Sequence, residues 1–275
     1  MYPFFHFFGR PIPAYGLMAI CGIGVCIGAI ALLCKLRGKS RIDTKFTDIL
    51  LAGCVALGCA MIGAMILRPI MKLPDVIINW ERYSQVPAGL LLRHIFGELV
   101  FYGGLIGGTL GAGIFCLKCK IPLIPTFDIL APAVALGHAF GRFGCFLGGC
   151  CYGIEVSHSH PFAVVYPPES LLAPPGIPLL PIPLIESACI IIISAIAAVV
   201  YLKVNKPGLC TGLYFALYAI LRFTIEFFRG DLVRGLYWGL STSQYISTGI
   251  FAVGIMFVLY AFRKPKKKQE DLSET

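Results

Sequence analysis

The chain has 275 residues, of which 57% are hydrophobic and 13% charged, and its mean hydropathy is +0.82. A soluble globular domain carries about 25% charged residues, so that class is excluded, and the many long apolar runs predict membrane-spanning helices rather than a barrel. The formal charge of +9 would suggest nucleic acid in a soluble protein; its distribution here points to membrane topology and anionic lipid, with no nucleic-acid partner.

Residues 1–13, MYPFFHFFGRPIP, read as an interfacial lead-in: aromatics suit the headgroup region and prolines oppose a helix. No basic n-region or small-residue cleavage site marks a signal peptide. The first span is expected at about 14–36 and the second at about 46–67, with a basic loop between them. Residues 68–93, with Pro74, Trp80 and Pro87, read as an external or partly re-entrant excursion. The third span, about 96–117, contains the glycine-rich stretch YGGLIGG. The fourth, about 125–147, runs into LGHAFGRFGCFLGGCCYG. An external segment follows at about 148–183, then spans at about 183–202, 210–228 and 244–262, and a basic tail from 263. The expected fold is thus all-α, a polytopic bundle of about seven transmembrane helices in a single domain over 1–275.

With the N-terminus outside, the lysines Lys35, Lys39, Lys45, Lys118, Lys120, Lys203, Lys206, Lys264, Lys266, Lys267 and Lys268 all fall on the cytoplasmic side, and only Lys72 does not. This asymmetry predicts an external N-terminus and a cytoplasmic C-terminus in a bacterial cell membrane. Most of the twelve cysteines lie in apolar runs and behave as small hydrophobes.

Ionisable residues inside spans are costly and mark function by default. His138 and Arg142 sit four residues apart on one face of the fourth span. Tyr218, Arg222 and Glu226 repeat that spacing on the sixth, with Arg229 near its end and Arg234 in the loop beyond. Two arginine-bearing stripes suggest a polar cavity for a phosphate, since the guanidinium fork binds two oxygens; a structural ion pair between Arg222 and Glu226 is the rival reading. Glu186 needs a partner, expected from an arginine of the sixth span or from water. Asp128 reads as an acidic residue in the first turn of its own helix. Gly103, Gly104, Gly107 and Gly108 fit close helix packing, or a broken helix facing an anion. Cys145, Cys150 and Cys151, with His158 and His160 downstream, match no strong zinc spacing. They read as packing residues, with a disulfide or a reactive thiol as alternatives; no metal and no cofactor is expected.

These residues, in this order, resemble the bacterial prolipoprotein diacylglyceryl transferase family. IPAYGLM at 12–18 is similar to its first-helix motif, with Tyr15. YGGLIGG is similar to its HGGL motif, GRFGCF to its GRxGNF signature, PLIESA to its glutamate-bearing motif, and YAILRFTIEFFRGD to its sixth-helix motif. The resemblance implies a seven-helix enzyme that moves the diacylglyceryl group of phosphatidylglycerol to a prolipoprotein cysteine at the outer leaflet. It assigns Tyr102, Arg142, Arg222 and Glu226 to catalysis, and Tyr15, Gly103, Gly104, Cys145, Glu186, Tyr218, Arg229 and Arg234 to the substrate. Tyr102 stands where the family has histidine, Cys145 where it has asparagine, and Gly148 and Cys150 where it has a further asparagine and a glutamate. His138 is additional and is the expected base. Alternatives are a related transferase with a glycan or lipid acceptor, a lipid or small-solute transporter, and a non-catalytic lipid-binding protein. No inverted repeat and no ATP-binding motif favours transport.

Overall fold

The computed structural model describes residues 3–7, 9–38, 44–97, 100–230, 236–237 and 239–263. The architecture is that of an all-α polytopic membrane protein. Among the described residues six helices are long and apolar enough to cross a membrane: α1 (Ala14–Arg37), α2 (Phe46–Ile78), α6 (Leu123–Gly148), α7 (Ile182–Lys203), α8 (Leu209–Glu226) and α9 (Thr242–Phe262). Between α2 and α6 lie α3 (Trp80–Tyr83), α4 (Ala88–Phe96) and α5 (Phe101–Lys118), the last occupying the expected third span. The proline-rich N-terminus forms an antiparallel hairpin, β1 (Phe4–Phe7) with β2 (Arg10–Pro13).

The excursion expected from Arg68 starts later. α2 runs on through Pro69 and Pro74 to Ile78, 33 residues in all. That is about 50 Å of helix, longer than a hydrocarbon core of about 30 Å. Each proline removes one N–H donor without ending the helix, because a carbonyl freed near the headgroups is hydrated.

The chain divides into two compact units, residues 38–126 and residues 1–37 with 127–275. In the first, α2 and α5 meet along a glycine seam. A Cβ at Gly63 would strike the Gly103 carbonyl, and one at Gly107 would strike that of Cys59. Lipid tails are as apolar as leucine side chains, so backbone approach of this kind supplies the attraction that hydrophobicity cannot. α5 is continuous through YGGLIGG, and the Gly104 N–H bonds back to the Val100 carbonyl at 3.2 Å. The broken-helix reading of these glycines does not hold.

In the second unit, α1 lies on α6 through Gly22, Gly137 and Gly144, and the Cys26 thiol donates to the Ala133 carbonyl at 2.9 Å. α7 is tied to α6 by two hydroxyls seven residues apart, from Ser187 to the Ala139 carbonyl at 2.8 Å and from Ser194 to the Pro132 carbonyl at 2.7 Å. Gly212 and Gly254 bring α8 and α9 together with no room for a Cβ. Residues 149–181 form an ordered cap around Tyr166, Ala173 and Leu179, where β3 (Val164–Val165) pairs with β4 (Pro178–Leu179).

Asp128 does not serve its own helix. Its buried carboxylate accepts from the Gly208 N–H at 2.6 Å, the Thr211 N–H at 2.9 Å and the Thr211 hydroxyl at 2.8 Å. It therefore caps the N-terminus of α8, where Gly208 has φ of 90° and supplies no capping side chain. Orphan N–H groups at a helix start require such an acceptor. Asp128→Ala is expected to lower stability by about 1–3 kcal/mol, read as a reduced midpoint of thermal unfolding in detergent, and Thr211→Val should cost less.

Candidate active site

Helix periodicity puts His138, Arg142 and Cys145 on one face of α6, while Gly137 and Gly144 of the adjacent face meet α1. Tyr15 of α1 lies over Gly144, where an added Cβ would come within 3.3 Å of the ring, and the tyrosine keeps 49% of its surface exposed.

Arg142 pairs across helices. Its Nε lies 3.2 Å from Oε1 of Glu186, which is 1% exposed. The partner of Glu186 is thus an arginine of α6, where one of α8 was expected. Glu186 lies against the guanidinium at Nε, and Tyr218 is in hydrogen-bonding reach of the same guanidinium. The edge of the His138 ring meets the Tyr218 ring at 4.9 Å between centroids, and Tyr214 stacks below Tyr218 at 6.1 Å. His138 is also within electrostatic reach of both Arg142 and Arg222.

The second guanidinium is anchored within one helix. Arg222, 6% exposed, lies 2.7 Å from the Glu226 carboxylate one turn on, and its Nη2 donates to the Ser243 hydroxyl at 3.2 Å. Its Nη1 is buried with no hydrogen-bond partner among the described residues. The pairing expected as a structural ion pair is real, and it leaves a donor over. Glu226 in turn accepts from Ser241 at 2.8 Å. Ser241 and Gln244 form a reciprocal capping box at the start of α9, between β6 (Leu240–Ser241) and the helix. Sequence reasoning passed over Ser241 and Ser243, although S-x-x-Q before an apolar run is a recognisable helix start.

Arg229 follows α8, buried at 8% exposure, where the chain lies antiparallel to the turn after α6: the Gly230 N–H bonds the Tyr152 carbonyl at 3.2 Å, and the Ile154 N–H bonds that of Phe228 at 2.9 Å. Gly153 is caught between Leu180 and Gly230 and has no space for a side chain. The structure therefore gathers Tyr15, His138, Arg142, Cys145, Glu186, Tyr218, Arg222, Glu226 and Arg229 in one unit. Gly103 and Gly104 belong to the other unit, where they serve helix packing. Arg234 and the side chain of Tyr102 lie outside the described residues.

The cysteine turn completes the site. All twelve cysteines are free thiols, and the sulfurs of Cys145, Cys150 and Cys151 lie within 4.8 Å of one another. Hydrogen bonds from the thiols of Cys145 and Cys150 hold the Cys151 thiol well below its ordinary range against burial, helped by Arg229 and Arg142. The same bonds, with burial, push the Cys150 thiol up.

This is a polytopic membrane protein whose buried site presents two carboxylate-anchored guanidiniums around a histidine. A family model described as prolipoprotein diacylglyceryl transferase matches residues 3–260, and the chain belongs to that family. It is 34% identical over 263 residues to phosphatidylglycerol–prolipoprotein diacylglyceryl transferase 2 of Clostridium perfringens, covering 96% of this chain and 95% of that protein. It is 32% identical to the corresponding transferase of Clostridium tetani, covering 94% and 98%, and 31% identical to that of Dehalococcoides mccartyi strain 195, covering 91% and 92%.

Removing one member of a buried pair strands the other charge. Glu186→Ala should therefore destabilise the protein by about 3–5 kcal/mol, seen as a lower unfolding midpoint in detergent. The double variant Arg142→Met with Glu186→Leu should recover most of that loss.

Proposed function

We propose that the chain transfers the diacylglyceryl group of phosphatidylglycerol to the lipobox cysteine of a prolipoprotein, acting as one domain over 1–275 at the outer leaflet of a bacterial cytoplasmic membrane, with its N-terminus outside. The observation that carries this reading is the paired set of buried guanidiniums, Arg142 held by Glu186 and Arg222 held by Glu226, flanking His138. Family membership and the names of the relatives support the donor and the acceptor.

The chemistry is a displacement at the glycerol carbon that bears the phosphate ester. The acceptor sulfur loses its proton and forms a C–S bond as the C–O bond to phosphate breaks, and glycerol phosphate leaves with the bonding electrons. Charge grows on the departing phosphate. The Nη groups of Arg142 and the spare Nη1 of Arg222 are fixed donors for it in a site of low dielectric. His138 accepts the thiol proton. Tyr218 keeps the imidazole and the Arg142 fork in register, and Tyr15 stands at the lipid-exposed edge where a headgroup would enter. Tyr102 is assigned to catalysis, and Gly103, Gly104 and Arg234 to the substrate, by resemblance to the family.

Purified protein incubated with phosphatidylglycerol and a lipobox peptide should yield the thioether product by mass spectrometry. Arg142→Ala and Arg222→Ala should each slow the transfer by roughly 10²–10³-fold, the cost of losing one preorganised charge-stabilising donor. Full activity in either variant would sink the mechanism; full activity in His138→Gln would remove only the base.

A further inference from the structure

Cys145, Cys150 and Cys151 converge in space, and the reason is backbone geometry. α6 ends in a Schellman turn: the Cys150 N–H bonds the Cys145 carbonyl at 3.0 Å, the Gly149 N–H bonds that of Phe146 at 3.2 Å, and Gly149 takes φ of 67°. In this turn the residue after the glycine folds back over the one five positions earlier, so Cys150 is returned to Cys145. Cys151 then adopts φ of 58°, a left-handed conformation that costs a non-glycine residue of order 1–3 kcal/mol. The result is three sulfurs within 4.8 Å of one another, each partly buried.

We infer that Cys145, Cys150 and Cys151 form a site for a soft, thiophilic metal ion of the zinc(II) or copper(I) kind, bound by three thiolates with a fourth position open. A zinc ion with Zn–S bonds of about 2.3 Å holds tetrahedral sulfurs about 3.8 Å apart, so rotamer adjustments alone close the cluster. Soft thiolates select d10 ions over magnesium or calcium. Zinc(II) on three thiolates carries a net single negative charge, and Arg142 and Arg229 are the neighbouring cations. Binding displaces the thiol protons to solvent, so no oxidant or reductant is needed.

A second observation points to a ligand. Two buried hydroxyls of the cap, Tyr166 Oη and Ser170 Oγ, have no hydrogen-bond partner among the described residues. Tyr166 is within electrostatic reach of Cys150 and Cys151, and Ser170 abuts Gly149. A water in the fourth position would give such hydroxyls an acceptor or donor. The cap is sealed onto this turn, since Leu171 bonds the Gly148 carbonyl at 3.0 Å and Ala173 bonds that of Gly149 at 2.9 Å. The inference is independent of the transfer chemistry.

The test uses the full-length, reduced protein in detergent and zinc(II) as the probe, titrated against a chromophoric chelator, with cadmium(II)–thiolate charge-transfer absorption as a second readout. A single tight equivalent is expected. Cys145→Ser, Cys150→Ser and Cys151→Ser should each weaken it by at least roughly 10–100-fold, and Cys54→Ser should not. In the unsubstituted chain, zinc should protect Cys145, Cys150 and Cys151 from alkylation but leave exposed Cys119, at the end of α5, reactive, which guards against variants that misfold. Zinc binding no tighter than in the triple serine variant would overturn the proposal. So would a disulfide between two of the three in protein trapped with alkylating agent during isolation.

Discussion

The structure depends on the partnering of charge inside an apolar bundle. A lone guanidinium within a membrane span costs several kcal/mol, and Arg142 and Arg222 each have a carboxylate beside them. Arg142 finds Glu186 on the next helix, and Arg222 finds Glu226 on its own. Much of the second unit is arranged to hold those pairs. Serine hydroxyls lock α7 onto α6 at two levels on the N-terminal side of Arg142, at Ala139 and at Pro132. The α9 start reaches back through Ser241 to Glu226 and through Ser243 to Arg222. The site is therefore preorganised by the same bonds that make the helices adhere, which is what electrostatic stabilisation of a leaving phosphate demands.

Helix positions were largely legible in the sequence, because apolar run length is a direct consequence of bilayer thickness. α7 and α9 fall within two residues of their expected bounds. The exception, α2, is instructive: its prolines looked like an end, but the helix continues through Pro69 and Pro74 to Ile78. Arg142, Arg222 and Glu226 were readable as a site from spacing alone, since i, i+4 fixes a common face. Interhelical partners were not readable. Nothing in the sequence tells Glu186 that its arginine comes from α6, or Asp128 that its donors lie some eighty positions downstream. Those pairings follow from helix order in space, which a single chain does not display.

The cysteines illustrate the same limit in miniature. Their linear spacing matches no metal signature, because such signatures describe ligands on strands, knuckles and regular helices. A Schellman turn has its own arithmetic, in which positions one and six are neighbours. Gly149 is the residue that makes that geometry cheap. Where the family signature places polar side chains, this chain places sulfur, and the fold of the turn decides that the sulfurs meet.

The difference between the two arginine pairs bears on how the chain enters the bilayer during synthesis. α8 brings its counter-ion with it, one turn away, and leaves the translocation machinery already neutralised. α6 does not: until α7 emerges with Glu186, it carries an unpaired Arg142 at a cost of roughly 2.5–3.5 kcal/mol. The long cap of residues 149–181 separates the two helices in the order of synthesis. The hairpin of α6 and α7, closed by the Ser187 and Ser194 bonds, is therefore the smallest piece of the chain in which Arg142 is paired.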